Sequence, residues 1–492
     1  MKDVIVVVES PAKCKKIEEY LGRGYRCVAT FGHLRQLDKV VDERVYFKEI
    51  DEKKGRIASL GKELKKASSV ILATDNDREG EAIAWHVCDI FGMCVKTTPR
   101  IVFTEITQVA IDRAMKKCGV LNMSLVNAQK ARQILDMWIG FRISPLLWKE
   151  ISSGLSAGRC QTPALHLLCD KEREVNEAWE KCELKYSTVG YFGDSNVRFV
   201  LDVNLEEPLP FLEMSKQHLH VFSLSDARPS VHASPRPLTT SRLQQIASTQ
   251  LNLSPKECMR HAQTLYEKGL ITYMRTDSEA YSVEFNESLM KYITRKWGSE
   301  YYVEPKVTRV MGAQEAHEAI HPTALCVQTA QEVTPKCQRL YVLIYTHTLQ
   351  SAMADAKGEV ICAKLSAPMD THYSTTAERI VFAGWMMAAE NREEDTKYNY
   401  FKSLCEGSVL KYNSVQSLVK PYGVMSRLNE SRVVKLLEEK GIGRPSTYAT
   451  LLEKLVDRKY ARVGDVRGIV HEVCDYYLDG LGLRVEKARR EF

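Results

Sequence analysis

The sequence predicts an α/β plus α+β multidomain fold, and three observations predict it. A continuous β-branched run, Val4 to Val8, passes through a short loop into a helix, which is how a strand buried on both faces begins an open α/β sheet. Residues 107 to 180 carry a 3.6-residue apolar period through Val126, Ala131, Leu135 and Ile139, so they read as helices. Alternating polar and apolar residues start near Tyr186 and return at 358–365 and 380–383, on either side of a helical stretch. That order suggests a β-rich domain carrying an inserted helical domain on two crossings.

Each element has a local reason. The first strand ends in Glu9-Ser10-Pro11-Ala12-Lys13, and the following helix contains Ile17, Tyr20 and Leu21. An acid and a base thus stand at the carboxyl edge of a strand, where ligands bind in open α/β sheets. A second strand, 25–30, leads to Phe31-Gly32-His33-Leu34. A third, 69–74, ends in Asp75-Asn76-Asp77-Arg78-Glu79-Gly80-Glu81, with a helix expected over 82–91. Carboxylates at alternate positions repel at close range. A divalent cation relieves that repulsion, and hard oxygen ligands suit Mg²⁺. The other reading of this stretch is a solvated acidic loop.

Further on, Gly154-Leu155-Ser156-Ala157-Gly158-Arg159-Cys160-Gln161 is a glycine-bracketed loop whose guanidinium, amide and hydroxyl suit phosphate. Thr239 to Leu243 opens a helix. Leu270-Ile271-Thr272-Tyr273-Met274-Arg275-Thr276-Asp277-Ser278 sets a phenol two residues before a guanidinium and four before a carboxylate. Arg275 offers a planar fork of donors to a phosphate that Tyr273 attacks, and Asp277 would orient it. A buried tyrosine with a satisfied hydroxyl is the alternative. In Ala316-His317-Glu318-Ala319-Ile320-His321-Pro322, the proline argues against a helical histidine pair for zinc, and His317 reads either as a phosphate or proton-transfer group or as a capped surface residue. The stretch 390–492 reads as helical. Within it, Gly441 to Tyr448 opens a helix at Ser446–Thr447, a phosphate site beside Arg444. Lys459 to Val463 reads as a wing after the helix pair.

Bulk properties set limits. The 492 residues allow several domains, and the net charge of +6 permits a polyanionic partner. No apolar run approaches the ~20 residues of a membrane span. The chain enters a strand at once and shows no signal-peptide pattern, so a cytoplasmic or nucleoid-associated location is expected. None of the 14 cysteines forms a CxxC pair, which argues against zinc ribbons. No P-loop motif with a Gly-Lys-Ser/Thr ending is found.

Six of these segments fall into one pattern. Glu9 to Lys13 and Asp75-x-Asp77-x-Glu79-Gly80 look like the two halves of a TOPRIM metal site. With Ser156 to Arg159, Gly269 to Ser278, Ala316 to Ile320 and Gly441 to Tyr448, they resemble type IA DNA topoisomerases in order and spacing along nearly the whole chain. Met274 after the tyrosine is similar to the bacterial topoisomerase I branch. The resemblance implies a torus of four domains: a Rossmann-like TOPRIM sheet (1–116), a helical base (117–180 and 386–492), a β-rich arch (181–234 and 356–385) and a tyrosine-bearing domain (235–355). It implies Tyr273 as nucleophile on single-stranded DNA, Arg275 on the transferring phosphoryl, Glu9 and Lys13 beside the leaving 3′-oxygen, and His317 and Asp277 positioning the strand. It implies Mg²⁺ on Glu9, Asp75, Asp77 and Glu79. His33, Arg132, Asp136, Ser156, Arg159, Gln161, Arg444 and Thr447 would contact DNA, and the protein would act as a monomer without ATP. A TOPRIM primase or nuclease would share the acidic residues but has no need of the Tyr273 segment. A non-catalytic single-strand-binding protein would not need the full residue set. The sequence departs from the family pattern at Gln133, Phe141, Gln36 and His321, and no cysteine-rich modules follow the last helix. Gln133 and Phe141 fall where relatives form a cytosine pocket.

Overall fold

The computed structural model describes residues 3–41, 44–307, 318–389 and 395–492. The N-terminal part runs β1 (Val4–Val8), α1 (Pro11–Leu21), β2 (Tyr25–Ala29), β3 (Arg35–Val41), β4 (Arg44–Glu49), α2 (Lys54–Leu64), β5 (Ser69–Leu72) and α3 (Arg78–Phe91). β1 pairs in parallel with β2 on one side and β5 on the other, which is why its run is apolar throughout. Ser10 caps α1 by accepting from the Ala12 N–H, and Pro11 takes the first helical position. α3 starts four residues earlier than the apolar pattern indicated. Asp77 is its N-cap and accepts from the Gly80 N–H at 2.8 Å, so a residue of the acidic motif itself begins the helix. Gly80 is required there, because a Cβ would fall onto the backbone of Asp75.

The next helices are α4 (Gln108–Lys116), α5 (Met123–Glu150) and α6 (Gln161–Glu180). α5 is helical as its period indicates, yet among its apolar residues only Val126 is buried, and Leu135, Trp138 and Phe141 are exposed. Its first turns pack on α3 and the rest runs past the sheet to line a groove.

The β-rich part begins with β6 (Glu183–Phe192), β7 (Val197–Leu201), α7 (Pro208–Ser215), β8 (Phe222–Leu224) and β9 (Arg228–His232). An insertion follows with α8 (Thr240–Leu251), α9 (Pro255–Glu267), α10 (Val283–Trp297) and α11 (Pro335–Ser351). The chain then returns through β10 (Ala356–Ala367) and β11 (Thr371–Phe382) to α12 (Thr396–Ser403), β12 (Tyr412–Tyr422), α13 (Glu430–Glu439), α14 (Tyr448–Asp457), β13 (Val470–Asp479) and β14 (Gly482–Glu491). β9 pairs with β10, His232 opposite Ala356, so the insertion leaves and re-enters the sheet at neighbouring positions.

The expectation that 390–492 is helical is overturned. β12, β13 and β14 extend the sheet in the order β14-β13-β12-β6-β7-β11-β10-β8. Charge hid them. β12 buries Val415, Ser417 and Val419 at period two, but Lys420 and Pro421 break the pattern at its end. In β13 the core-facing position holds Asp475, which pairs with Arg490 of β14. The wing expected at Lys459 to Val463 is a turn and loop, with Lys459 in the left-handed region. The largest apolar cluster joins Val6, Val8 and Ile17 of the parallel sheet layer to Leu265, Ile271 and Tyr273 of the insertion, so the two pack as one core.

Candidate active site

Tyr273 lies at the junction of the insertion and the parallel sheet. It is 4% exposed, and its hydroxyl donates to Asp77 Oδ2 at 2.6 Å. Its backbone N–H donates to the Thr104 carbonyl at 2.8 Å, so the phenol is held from both ends. Burial, followed by the charges of Asp77 and Asp75, pushes this phenol well above its ordinary range, while Arg275 works the other way. Arg275 Nη1 lies 3.9 Å from the same Asp77 oxygen.

The sheet edge brings Glu9, Lys13, Asp75 and Asp77 together, as the sequence indicated. Lys13 is fully buried and its ammonium pairs with Asp75 Oδ1. The Asp75 N–H donates to Glu9 Oε1 at 3.0 Å. Burial, then the neighbouring charges of Asp75 and Asp77, push the Glu9 carboxyl up to about 8, against the pull of Lys13. Tyr266, a buried residue that sequence reasoning missed, donates to Asp75 Oδ1 at 3.4 Å and packs edge-on to Tyr273 at 5.2 Å between centroids.

The third acidic position behaves differently. Glu79 accepts from Gln129 at 3.1 Å and Arg132 at 3.4 Å, and His33 lies 3.1 Å away. Burial opposes its charge, yet His33, Gln129 and Arg132 hold it down at about 2. Asp75, Asp77 and Glu79 thus each have their own partners. Among the described residues no three His, Cys, Asp or Glu side chains converge on one point. The donor chemistry still suits a hard dication: Asp75 and Asp77 stand close enough to Glu9 that their charges, after burial, raise its carboxyl.

Arg132, which donates to Glu79, also lines a groove with a cavity of about 630 Å³, together with Asp136, Ser156, Arg159, Gln161 and Thr447. Six of the eight residues read from sequence as DNA contacts therefore meet on one surface. Asp136 accepts from Arg159 Nε at 3.0 Å and lies 3.9 Å from Arg132. Phe141 and Trp148 add an apolar wall. The Ser156 N–H donates to the Tyr460 hydroxyl at 2.7 Å, and Arg458 donates to Ser156 Oγ. Thr447 Oγ1 accepts from the Arg444 N–H at 2.8 Å, closing the turn before α14. His33 stands at the sheet end of the groove. The remaining charge, Arg444, is felt at Arg78, whose guanidinium is lowered by burial and then by Arg132 and Arg444.

Sequence reasoning missed Arg78, although it sits inside the acidic motif, and it missed Lys454 and Arg458, whose i,i+4 spacing puts both on the cavity face of α14. Asp277 is felt at Tyr448 in α14, a hydroxyl that burial, Glu438 and Asp277 push up to about 12. No described hydrogen bond joins Asp277 to Arg275. His317 lies outside the described residues.

Comparison with known proteins agrees with this arrangement. Residues 120–472 match the DNA topoisomerase family, and residues 4–106 match the Toprim domain. The structure of full-length topoisomerase I from Thermotoga maritima, in a monoclinic crystal form, is similar over 95% of this chain and 79% of that one, with 31% identity and a TM-score of 0.76. On sequence and on fold the chain belongs to the DNA topoisomerases, as a bacterial type IA, topoisomerase I-like enzyme.

Proposed function

We propose that the chain relaxes negatively supercoiled DNA without ATP, by cutting one strand through a 5′-phosphotyrosine, passing a single strand and resealing. The observation that carries this reading is the hydrogen bond from Tyr273 to Asp77 at the sheet edge where Glu9 accepts from the Asp75 N–H. In the cleavage step the Tyr273 oxygen bonds to phosphorus and the bond from phosphorus to the 3′-oxygen breaks. The phenolic proton passes to Asp77, and Glu9 gives its proton to the departing 3′-oxygen. Arg275 supplies positive charge to the phosphoryl group in transit, with Lys13 beside the leaving oxygen. Resealing reverses these transfers, and the bond energy stays in the covalent intermediate.

Asp75 and Asp77, with Glu9 beside them, would hold Mg²⁺, and a bound ion supplies positive charge near the phosphate and the 3′-end. Glu79, with His33, Gln129 and Arg132, fixes the end of α5 that faces the sheet. Arg78, Arg132, Arg159 and Arg444 would track the phosphates of a single strand, with Phe141 and Trp148 offering faces for bases. The enzyme would act as a monomer, cytoplasmic or nucleoid-associated. No helix among the described residues is long and apolar enough to cross a membrane. The division into TOPRIM, base, arch and tyrosine-bearing parts fits the positions of these residues, with β12 to β14 assigned to the arch rather than to the base.

The test is covalent trapping on an end-labelled single-stranded oligonucleotide with Mg²⁺. Wild type is expected to form an adduct and Tyr273→Phe none. An adduct with Tyr273→Phe, or no adduct with wild type, overturns the assignment.

A further inference from the structure

α1 presents two lysines on one face, three residues apart. Lys13 reaches Asp75 in the active site. Lys16, one turn further on, reaches out of the sheet domain and donates its ammonium to the carbonyl of Lys268. Lys268 is the C-cap of α9 and stands five residues before Tyr273. The last carbonyls of a helix lack intrahelical donors and carry the negative end of its dipole. A cation from another domain is therefore well matched to that point. Lys16 is half-buried and its pKa is lowered by burial, as expected of an ammonium withdrawn from water into an interface.

The neighbouring residue shows how close the two surfaces come. Gly269 adopts φ +64°, and a Cβ there would press into the Ile106 carbonyl oxygen, with Lys16 Nζ 3.3 Å away. The Thr323 hydroxyl donates to the Gly269 carbonyl at 2.8 Å, and the Tyr273 N–H donates to Thr104 at 2.8 Å. The segment from Lys268 to Tyr273 is thus pinned to the sheet domain at its start by Lys16 and at its end by Thr104. Neither contact touches the groove.

We propose that Lys16 is a positioning residue: a clasp that holds the Tyr273-bearing domain closed on the sheet domain and must release for that domain to lift. This rests on Tyr273 as the nucleophile. After cleavage the 5′-phosphate stays on the lifting domain while the 3′-hydroxyl stays with the sheet domain. Resealing needs the closed state, so weakening the clasp lengthens the life of the covalent intermediate.

Two measurements on the full chain test it, with Lys16→Met and Lys16→Arg. Amide exchange of residues 268–274 reads the clasp without chemistry. It is expected to speed up about tenfold in Lys16→Met, the upper part of the range for a cation at a helix end, and to return close to wild type in Lys16→Arg. The trapped adduct at equilibrium on a single-stranded oligonucleotide is expected to rise severalfold in Lys16→Met and to be restored by Lys16→Arg. Unchanged exchange in Lys16→Met overturns the clasp. Faster exchange with unchanged or reduced adduct shows a structural contact without a part in the cycle, and overturns the role proposed. A wild type that forms no adduct counts against Tyr273, and the exchange result still decides the clasp.

Discussion

A single carboxyl, Glu9, shows how the site divides its labour. Its neighbours Lys13 and Asp75 pair with each other, while Glu9 is buried and pushed up to about 8. Replacing it with an isosteric amide keeps the hydrogen bond from Asp75 and removes the proton proposed for the departing 3′-oxygen. Glu9→Gln is expected to lower cleavage of a single-stranded oligonucleotide by about 10²- to 10⁴-fold, the usual worth of a positioned acid. Rapid-quench kinetics checks this, and a change below about threefold would remove Glu9 from the chemistry. Much of this site was legible in the sequence once the resemblance to type IA topoisomerases set the Tyr273 segment against the acidic cluster. Glu9, Lys13, Asp75, Asp77, Tyr273 and Arg275 do meet. What order could not show was how the acids are partnered. Glu79 faces His33, Gln129 and Arg132 because a helix cap at Asp77 turns successive side chains to different sides. Tyr266 was invisible for the opposite reason: an apolar stretch of helix gives no sign that one of its hydroxyls touches a distant carboxylate.

Among the elements, the turn from β5 into α3 carries the tightest constraint. Gly80 lets the first turn of α3 lie on the backbone of Asp75. Gly80→Ala would force them apart, with an expected loss of about 1–3 kcal/mol in urea unfolding and a larger proportional loss of cleavage. Stability lost without activity would show that the acidic segment tolerates displacement. The helices and the parallel strands were readable because their apolar periods are unbroken. The last three strands were not, since Asp475 occupies a buried position where the alternation calls for an apolar residue. Its partner Arg490 is fifteen residues away and becomes a neighbour only through the hairpin register. α5 shows a further limit of periodicity. It fixes the helix but not how much of its length is covered.

For the whole molecule, burial of neutral imidazoles sets an acid limit. Burial, then His33, Arg35 and Lys130, lowers His86 to about 3. Burial lowers His347 to about 4, with its ring nitrogen 2.8 Å from the Arg236 carbonyl. Both folded values lie below the unfolded one near 6.5. Their contribution is thus fully present above pH 6.5 and is lost as pH falls towards 4, by roughly 1.4 kcal/mol per pH unit for each group. Urea midpoints are expected to drop between pH 7 and pH 5, and His347→Gln, which keeps a donor for Arg236, to flatten that slope. An unchanged slope would place the acid sensitivity elsewhere. The pairing of β9 with β10 bears on how such a molecule can move. Residues 233 to 355 are tethered at both ends, but the two tethers are the two sides of one rung, His232 opposite Ala356. Two anchor points side by side define an axle, where two far apart would define a clamp. A swing about such an axle would have one dominant rotational freedom, and it would bring the phenol back to the sheet edge along the arc by which it left.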